Sequence, residues 1–125
     1  MRSLINRKFI EVKADKAKTK RRRLITIEPN LLAWLTPHAK KSGKVLPPNA
    51  RNKTEVARKK AGLEKWPENG LRHSYASYHL AHFKDANRLA LELGHGTTQM
   101  LFAHYRELAR PEDAKRYWKI VPVQN

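Results

Sequence analysis

The feature that most constrains the fold is punctuation. Pro29, Gly43, the pair Pro47-Pro48, Gly62, the run Pro67-Glu68-Asn69-Gly70, Gly94 and Pro111 interrupt the chain at short intervals. Each favours a turn or a helix end for a known reason: proline fixes φ and lacks an N–H, and glycine accepts the left-handed region. Between these breaks only short elements fit. Pro29-Asn30-Leu31-Leu32-Ala33-Trp34-Leu35 reads as a short helix with proline in its first turn. Residues 42–52 read as loop. Asn52, followed three residues on by Glu55, reads as a capping box opening a helix that runs to about Ala61 and ends at Gly62.

From Leu71 a helix is expected to carry Leu71, Tyr75, Tyr78 and His82 on one face. Asp85 is expected to cap the next helix, Ala86 to Leu93, with Gly94 just past its end. Thr97 or Thr98 is expected to cap a helix through Met100, Leu101 and Phe102 to Tyr105. Pro111-Glu112-Asp113 opens a last helix, with Lys115, Arg116 and Lys119 toward its end, an order that suits the helix dipole. Upstream, Phe9-Ile10-Glu11-Val12 and Leu24-Ile25-Thr26-Ile27 are β-prone and flank a basic run. The reading is an α+β, mainly α fold in one domain, residues 1–125. A β-hairpin spans about 8–28 and a helical core about 29–120.

Charge narrows the partner. The formal net charge is +16 with a pI of about 10.5. Residues 1–23 hold ten Lys or Arg against Glu11 and Asp15, which is half the total. A disordered basic tail and a hairpin with lysines at its tip are both compatible with that run. An excess of this size implies a polyanionic partner, and nucleic acid fits best. No long apolar run, Trp-rich amphipathic segment or secretory signal points to a membrane. The chain has no cysteine, so disulfides and thiolate metal sites are excluded, consistent with a reducing cytoplasm. There is no Gly-rich phosphate loop and no carboxylate pair of the glycosidase kind.

Three residues carry candidate chemistry. Arg72 opens a helix after a Gly-containing turn, where backbone N–H groups and a guanidinium both favour an anion; alone it is equally a solvated arginine. His95 follows Gly94, where an imidazole can lie beside a bound phosphate or simply favour the helix dipole. Tyr105 is a core or interface residue unless cations favour its phenolate. The pair His79 and His82 has metal-like spacing but lacks further ligands, so no metal site is expected.

Taken together, these residues resemble the C-terminal catalytic domain of the tyrosine recombinases, the phage-integrase family. Asn69-Gly70-Leu71-Arg72-His73 is similar to that family's His-x-x-Arg-His box, Leu93-Gly94-His95 to its Leu-Gly-His box, and Tyr105 to its nucleophile. Arg23-Leu24-Ile25-Thr26-Ile27 looks like the strand that follows the family's hairpin lysine. Counting back places that lysine at Lys18, with Lys16 and Lys20 as rivals. The resemblance runs from about Phe9 to Tyr117.

It implies DNA strand breakage and rejoining through a 3′-phosphotyrosyl intermediate, on double-stranded DNA, without ATP, metal or other cofactor. Tyr105 would be the nucleophile, Arg72 the phosphate-stabilising cation, Lys18 the leaving-group acid, and His95 and Asn69 phosphate ligands. Lys16, Lys20, Arg21, Arg22, Arg23 and His73 would contact DNA. The protein would be cytoplasmic and nucleoid-associated, a monomer free and an oligomer on DNA. Two departures stand out: Asn69 replaces a histidine, and His95 to Tyr105 is one residue longer than the commonest spacing. A third is that the family's other arginine, two dozen residues before the hairpin lysine, would fall ahead of Met1. The chain therefore reads as the C-terminal part of such a domain, weak in cleavage by itself.

Overall fold

The computed structural model describes residues 8–17, 21–94, 98–99, 101, 105 and 109–123. Strands β1 (Phe9–Val12) and β2 (Arg23–Thr26) pair antiparallel, with Phe9 opposite Thr26 and Val12 opposite Arg23. Among the described residues five helices have defined bounds: α1 (Pro29–Leu35), α2 (Ala50–Lys60), α3 (Gly70–Phe83), α4 (Ala86–Leu93) and α5 (Pro111–Tyr117), with a 3-10 turn, Thr36–His38, after α1. The class is α+β and mainly α, as the punctuation and the two β-prone runs imply.

The helix ends follow local chemistry. Asp85 Oδ1 accepts from the Arg88 N–H at 3.0 Å and caps α4; Gly94, at φ +77°, terminates it. Pro29 and Pro111 sit in the first turns of α1 and α5. The start of α2 departs from expectation. It begins at Ala50, not after Asn52, because the Pro47-Pro48 turn already commits the backbone. The Ala50 N–H donates to the Pro47 carbonyl at 3.2 Å and the Lys53 N–H to the Asn49 carbonyl at 3.1 Å. Asn49 stands at the cap and makes no side-chain capping bond, so Asn52 and Glu55 form no capping box.

The buried face of α3 runs between the half-buried Tyr75 and Tyr78 and does not extend to Leu71 or His82. Ala76 and His79 are buried, whereas Leu71 is 72% exposed and His82 is exposed. Crossing partners set this face. Tyr78 stacks on Tyr117 of α5 with centroids 4.6 Å apart, and Trp118 donates its indole N–H to the Tyr78 carbonyl at 3.1 Å. The core joins Ala76 of α3, Leu89, Ala90 and Leu93 of α4, and Leu101 and Tyr105.

The hairpin is fastened to the helices by a buried carboxylate. Glu92 Oε1 accepts the Thr26 N–H at 3.1 Å and Glu92 Oε2 accepts the Tyr75 hydroxyl at 2.6 Å. Arg88 spans Glu92, at 3.4 Å, and Glu28, with which it pairs closely. One carboxylate thus ties β2, α3 and α4 into a fixed arrangement. Among the described residues no helix is long and apolar enough to cross a membrane.

Candidate functional site

The site forms where the start of α3 meets the end of α4. Pro67 to Gly70 makes a tight entry: the Gly70 N–H donates to the Pro67 carbonyl at 2.9 Å, and Asn69 adopts φ +52°. Asparagine tolerates this left-handed geometry better than most residues. The His73 N–H then closes on the Asn69 carbonyl at 2.9 Å and α3 proceeds. No acidic residue occupies its first turn. Arg72 and His73 are therefore presented side by side at a helix end whose own dipole is positive.

Arg72 Nη2 donates to the Leu93 carbonyl at 2.9 Å, at the end of α4 and one residue before the Gly94 turn. His73 Nδ1 lies 2.6 Å from the Tyr105 hydroxyl, with ring centroids 5.6 Å apart. Tyr105 is in helical conformation and only 7% exposed. With Nδ1 unprotonated, the phenol donates to it, and His73 is then placed to take the phenol proton. Arg72 directly precedes His73 in the first turn of α3, and its guanidinium is the cation that the structure places at this helix end.

The expected site residues divide as follows. Asn69 and Arg72 line a shallow cleft with Thr54, Trp66, Pro67, Gly70 and Leu71, while Tyr105 meets His73, the residue after Arg72. Lys18, Lys20 and His95 lie outside the described residues. Lys16 is exposed in the hairpin turn, where its N–H donates to the Lys13 carbonyl at 3.0 Å. Arg21 and Arg22 are exposed, and Arg22 pairs with Glu11 at 3.1 Å. Arg23 faces inward, with Nη1 3.4 Å from the Leu93 carbonyl, instead of joining Arg21 and Arg22 on the outer surface.

His73 is the residue whose part sequence reading missed. Its position after Arg72 suggested a DNA contact; the tertiary fold sets it on the Tyr105 hydroxyl. Spacing along one helix could not reveal a bond to a residue thirty-two positions away.

A second histidine has a different setting. His79 is fully buried among Tyr75, Phe83 and Trp118, with centroids at 5.4, 4.7 and 5.9 Å. Burial pushes its imidazole down to about 4, against the opposing pull of the Glu92 carboxylate. Nε2 stands 3.5 Å from Glu92 Oε2, and neither ring nitrogen has a hydrogen-bond partner among the described residues. Burial, then the hydrogen bond to Glu92, pushes the Tyr75 phenol well above its ordinary range. His79 is thus a neutral core residue. Among the described residues no group of three or more His, Asp or Glu is placed to hold a metal.

No protein-family model, curated protein or solved structure matches this chain. The site's own geometry therefore carries the functional argument.

Proposed function

We propose that the chain is a DNA-binding domain of the tyrosine recombinase type, which breaks and rejoins DNA through a 3′-phosphotyrosyl link. The observation that carries this reading is the Tyr105 hydroxyl held 2.6 Å from His73 Nδ1, with the Arg72 guanidinium one residue away on the same helix end. A tyrosine in this setting has a base for its proton and a cation for the charge it transfers.

In the proposed reaction the Tyr105 oxygen attacks a DNA phosphorus and its proton passes to His73. The bond from phosphorus to the 5′-oxygen breaks, and the 5′-hydroxyl leaves with a proton from the hairpin lysine, Lys18, or from its rivals Lys16 or Lys20. A 5′-hydroxyl then attacks the phosphotyrosine, passing its proton to the hairpin lysine; the bond from phosphorus to the Tyr105 oxygen breaks, the phenol takes its proton back from His73, and a phosphodiester is restored. One phosphoester replaces another, so the energy of the bond is conserved and no ATP is consumed. Arg72 steadies the nonbridging oxygens as charge builds on them. Asn69, beside Arg72 at the cleft, supplies an amide that hydrogen-bonds phosphate, and His95, the next residue in sequence after Gly94, is the second phosphate ligand of this reading. The net charge of +16 binds the DNA backbone, giving salt-dependent affinity with little sequence information.

The second reading is a nucleic-acid-binding module without chemistry. It is favoured by the burial of Tyr105 inside the core cluster with Leu89, Leu93 and Leu101. A nicked suicide duplex separates the two. The first reading expects a covalent protein–DNA adduct that Tyr105→Phe abolishes while DNA affinity stays nearly unchanged. Binding without any adduct assigns the second reading. Collapse of DNA binding in Tyr105→Phe makes Tyr105 a structural residue.

A further inference from the structure

A cavity of about 270 Å³ opens where β2, α1, the middle of α3 and the chain after α5 meet. Four aromatic rings wall it: Trp34, Tyr75, Tyr117 and Trp118. Tyr75 and Trp118 meet edge to face with centroids 5.9 Å apart, and Tyr117 and Trp118 do so at 5.1 Å. Ile25, Leu31 and Ile120 complete the apolar surface. The cavity shares no described residue with the cleft of Asn69 and Arg72.

The polar edges of these walls are already engaged. The Trp34 indole N–H donates to the Ile120 carbonyl at 3.2 Å, which ties α1 to the chain after α5. The Trp118 N–H donates to the Tyr78 carbonyl, and the Tyr75 hydroxyl to Glu92. Glu28, also in the wall, pairs with Arg88. Asn30 is the exception. It lines the cavity from the first turn of α1, and its Oδ1 is buried with no hydrogen-bond partner among the described residues.

A buried acceptor left unpaired costs folding free energy, and an apolar side chain of similar shape removes that cost. The amide at position 30 is thus kept against stability. The lining also differs from the rest of the chain. Lys and Arg number 27 in 125 residues, yet among the described residues none lines this cavity, and its one charged residue, Glu28, is balanced by Arg88. A phosphate or other anion meets no cation on these walls. An apolar cavity of ~150 Å³ already takes up benzene, so this one has room for a fused two-ring system.

We propose that this cavity binds a small neutral heteroaromatic molecule carrying one ring N–H, of the indole class. The rings of Trp34, Tyr75, Tyr117 and Trp118 pack against it, and Asn30 Oδ1 accepts its N–H. The terminal torsion of asparagine is soft, so the oxygen turns to the donor without moving α1. A ring without the N–H fills the space but leaves the acceptor unpaired, and that difference gives the site its selectivity.

The test uses the full chain with indole and with benzofuran, which has the same shape and an oxygen in place of the N–H. Calorimetry gives the affinity, and NMR follows the Trp34 and Trp118 indole N–H and the Asn30 side-chain amide. Indole is expected to shift all three signals with one dissociation constant, at least ~5-fold below that of benzofuran, the scale of one hydrogen bond. Asn30→Leu is expected to melt no lower than the unaltered chain and to bind the two rings alike. Asn30→Asp keeps an acceptor oxygen and is expected to keep the preference for indole.

The assignment is overturned if indole and benzofuran bind the unaltered chain alike, if indole leaves the Trp34 and Trp118 signals in place, or if Asn30→Leu retains the preference. Should Asn30→Leu not fold, the comparison of the two rings on the unaltered chain and on Asn30→Asp decides the matter in the same way.

Discussion

The Tyr75 hydroxyl donates to Glu92 Oε2 at 2.6 Å, joining the middle of α3 to the end of α4 beneath the hairpin. The same carboxylate accepts the Thr26 N–H and meets Arg88, so its loss strands several buried groups at once. Removing one partner of a buried charged network typically costs about 3 kcal/mol. Glu92→Leu is therefore expected to lower stability by that order in urea unfolding. Tyr75→Phe, which removes a single donor, is expected to cost about 1–2 kcal/mol. Equal and negligible effects of both variants would show that the hairpin is held by other contacts.

His79 makes stability depend on pH. Its imidazole protonates near pH 4 in the fold and near 6.5 in the unfolded chain. Between those values the unfolded state binds more protons, so stability is complete above pH 6.5 and falls as pH drops toward 4. The full effect is about 3 kcal/mol. Glu92 and Asp85 favour the charged imidazole and Arg88 and His82 oppose it, but burial outweighs them. His79→Phe fills the same aromatic setting without a proton to gain. Urea midpoints from pH 7 to pH 4 should fall less for this variant than for the unaltered chain; parallel slopes would refute the assignment.

Gly94 is required by its backbone as well as by Arg23. At φ +77° a side chain is strained, and a Cβ also displaces the Arg23 guanidinium. Gly94→Ala is expected to cost about 1–2 kcal/mol, from the left-handed conformation alone. Thermal unfolding measures it. A neutral result would mean that the α4 terminus relaxes to a different turn.

The sequence by itself determined most of the described elements and several of their ends; the expected helix from Thr97 or Thr98 to Tyr105 lies largely outside the described residues. Proline and glycine act through a single residue's φ and N–H, so Pro29, Pro111 and Gly94 could be placed without knowing any neighbour. Asp85 capped α4 as read, because its partner is only three residues away. The Asn52 box failed because an earlier turn at Pro47-Pro48 won the competition for the helix start. Arg72, Asn69 and Tyr105 were legible as candidates by residue type and order.

Only the tertiary structure decided which residues those candidates meet. The face of α3 that is buried depends on α5, whose Tyr117 and Trp118 draw Tyr78 inward while Leu71 turns to solvent. The His73–Tyr105 contact, the inward turn of Arg23 and the Glu92 network all join residues distant in sequence. Such contacts form when several apolar surfaces pack together and fix the direction of each side chain, and no local pattern encodes that direction.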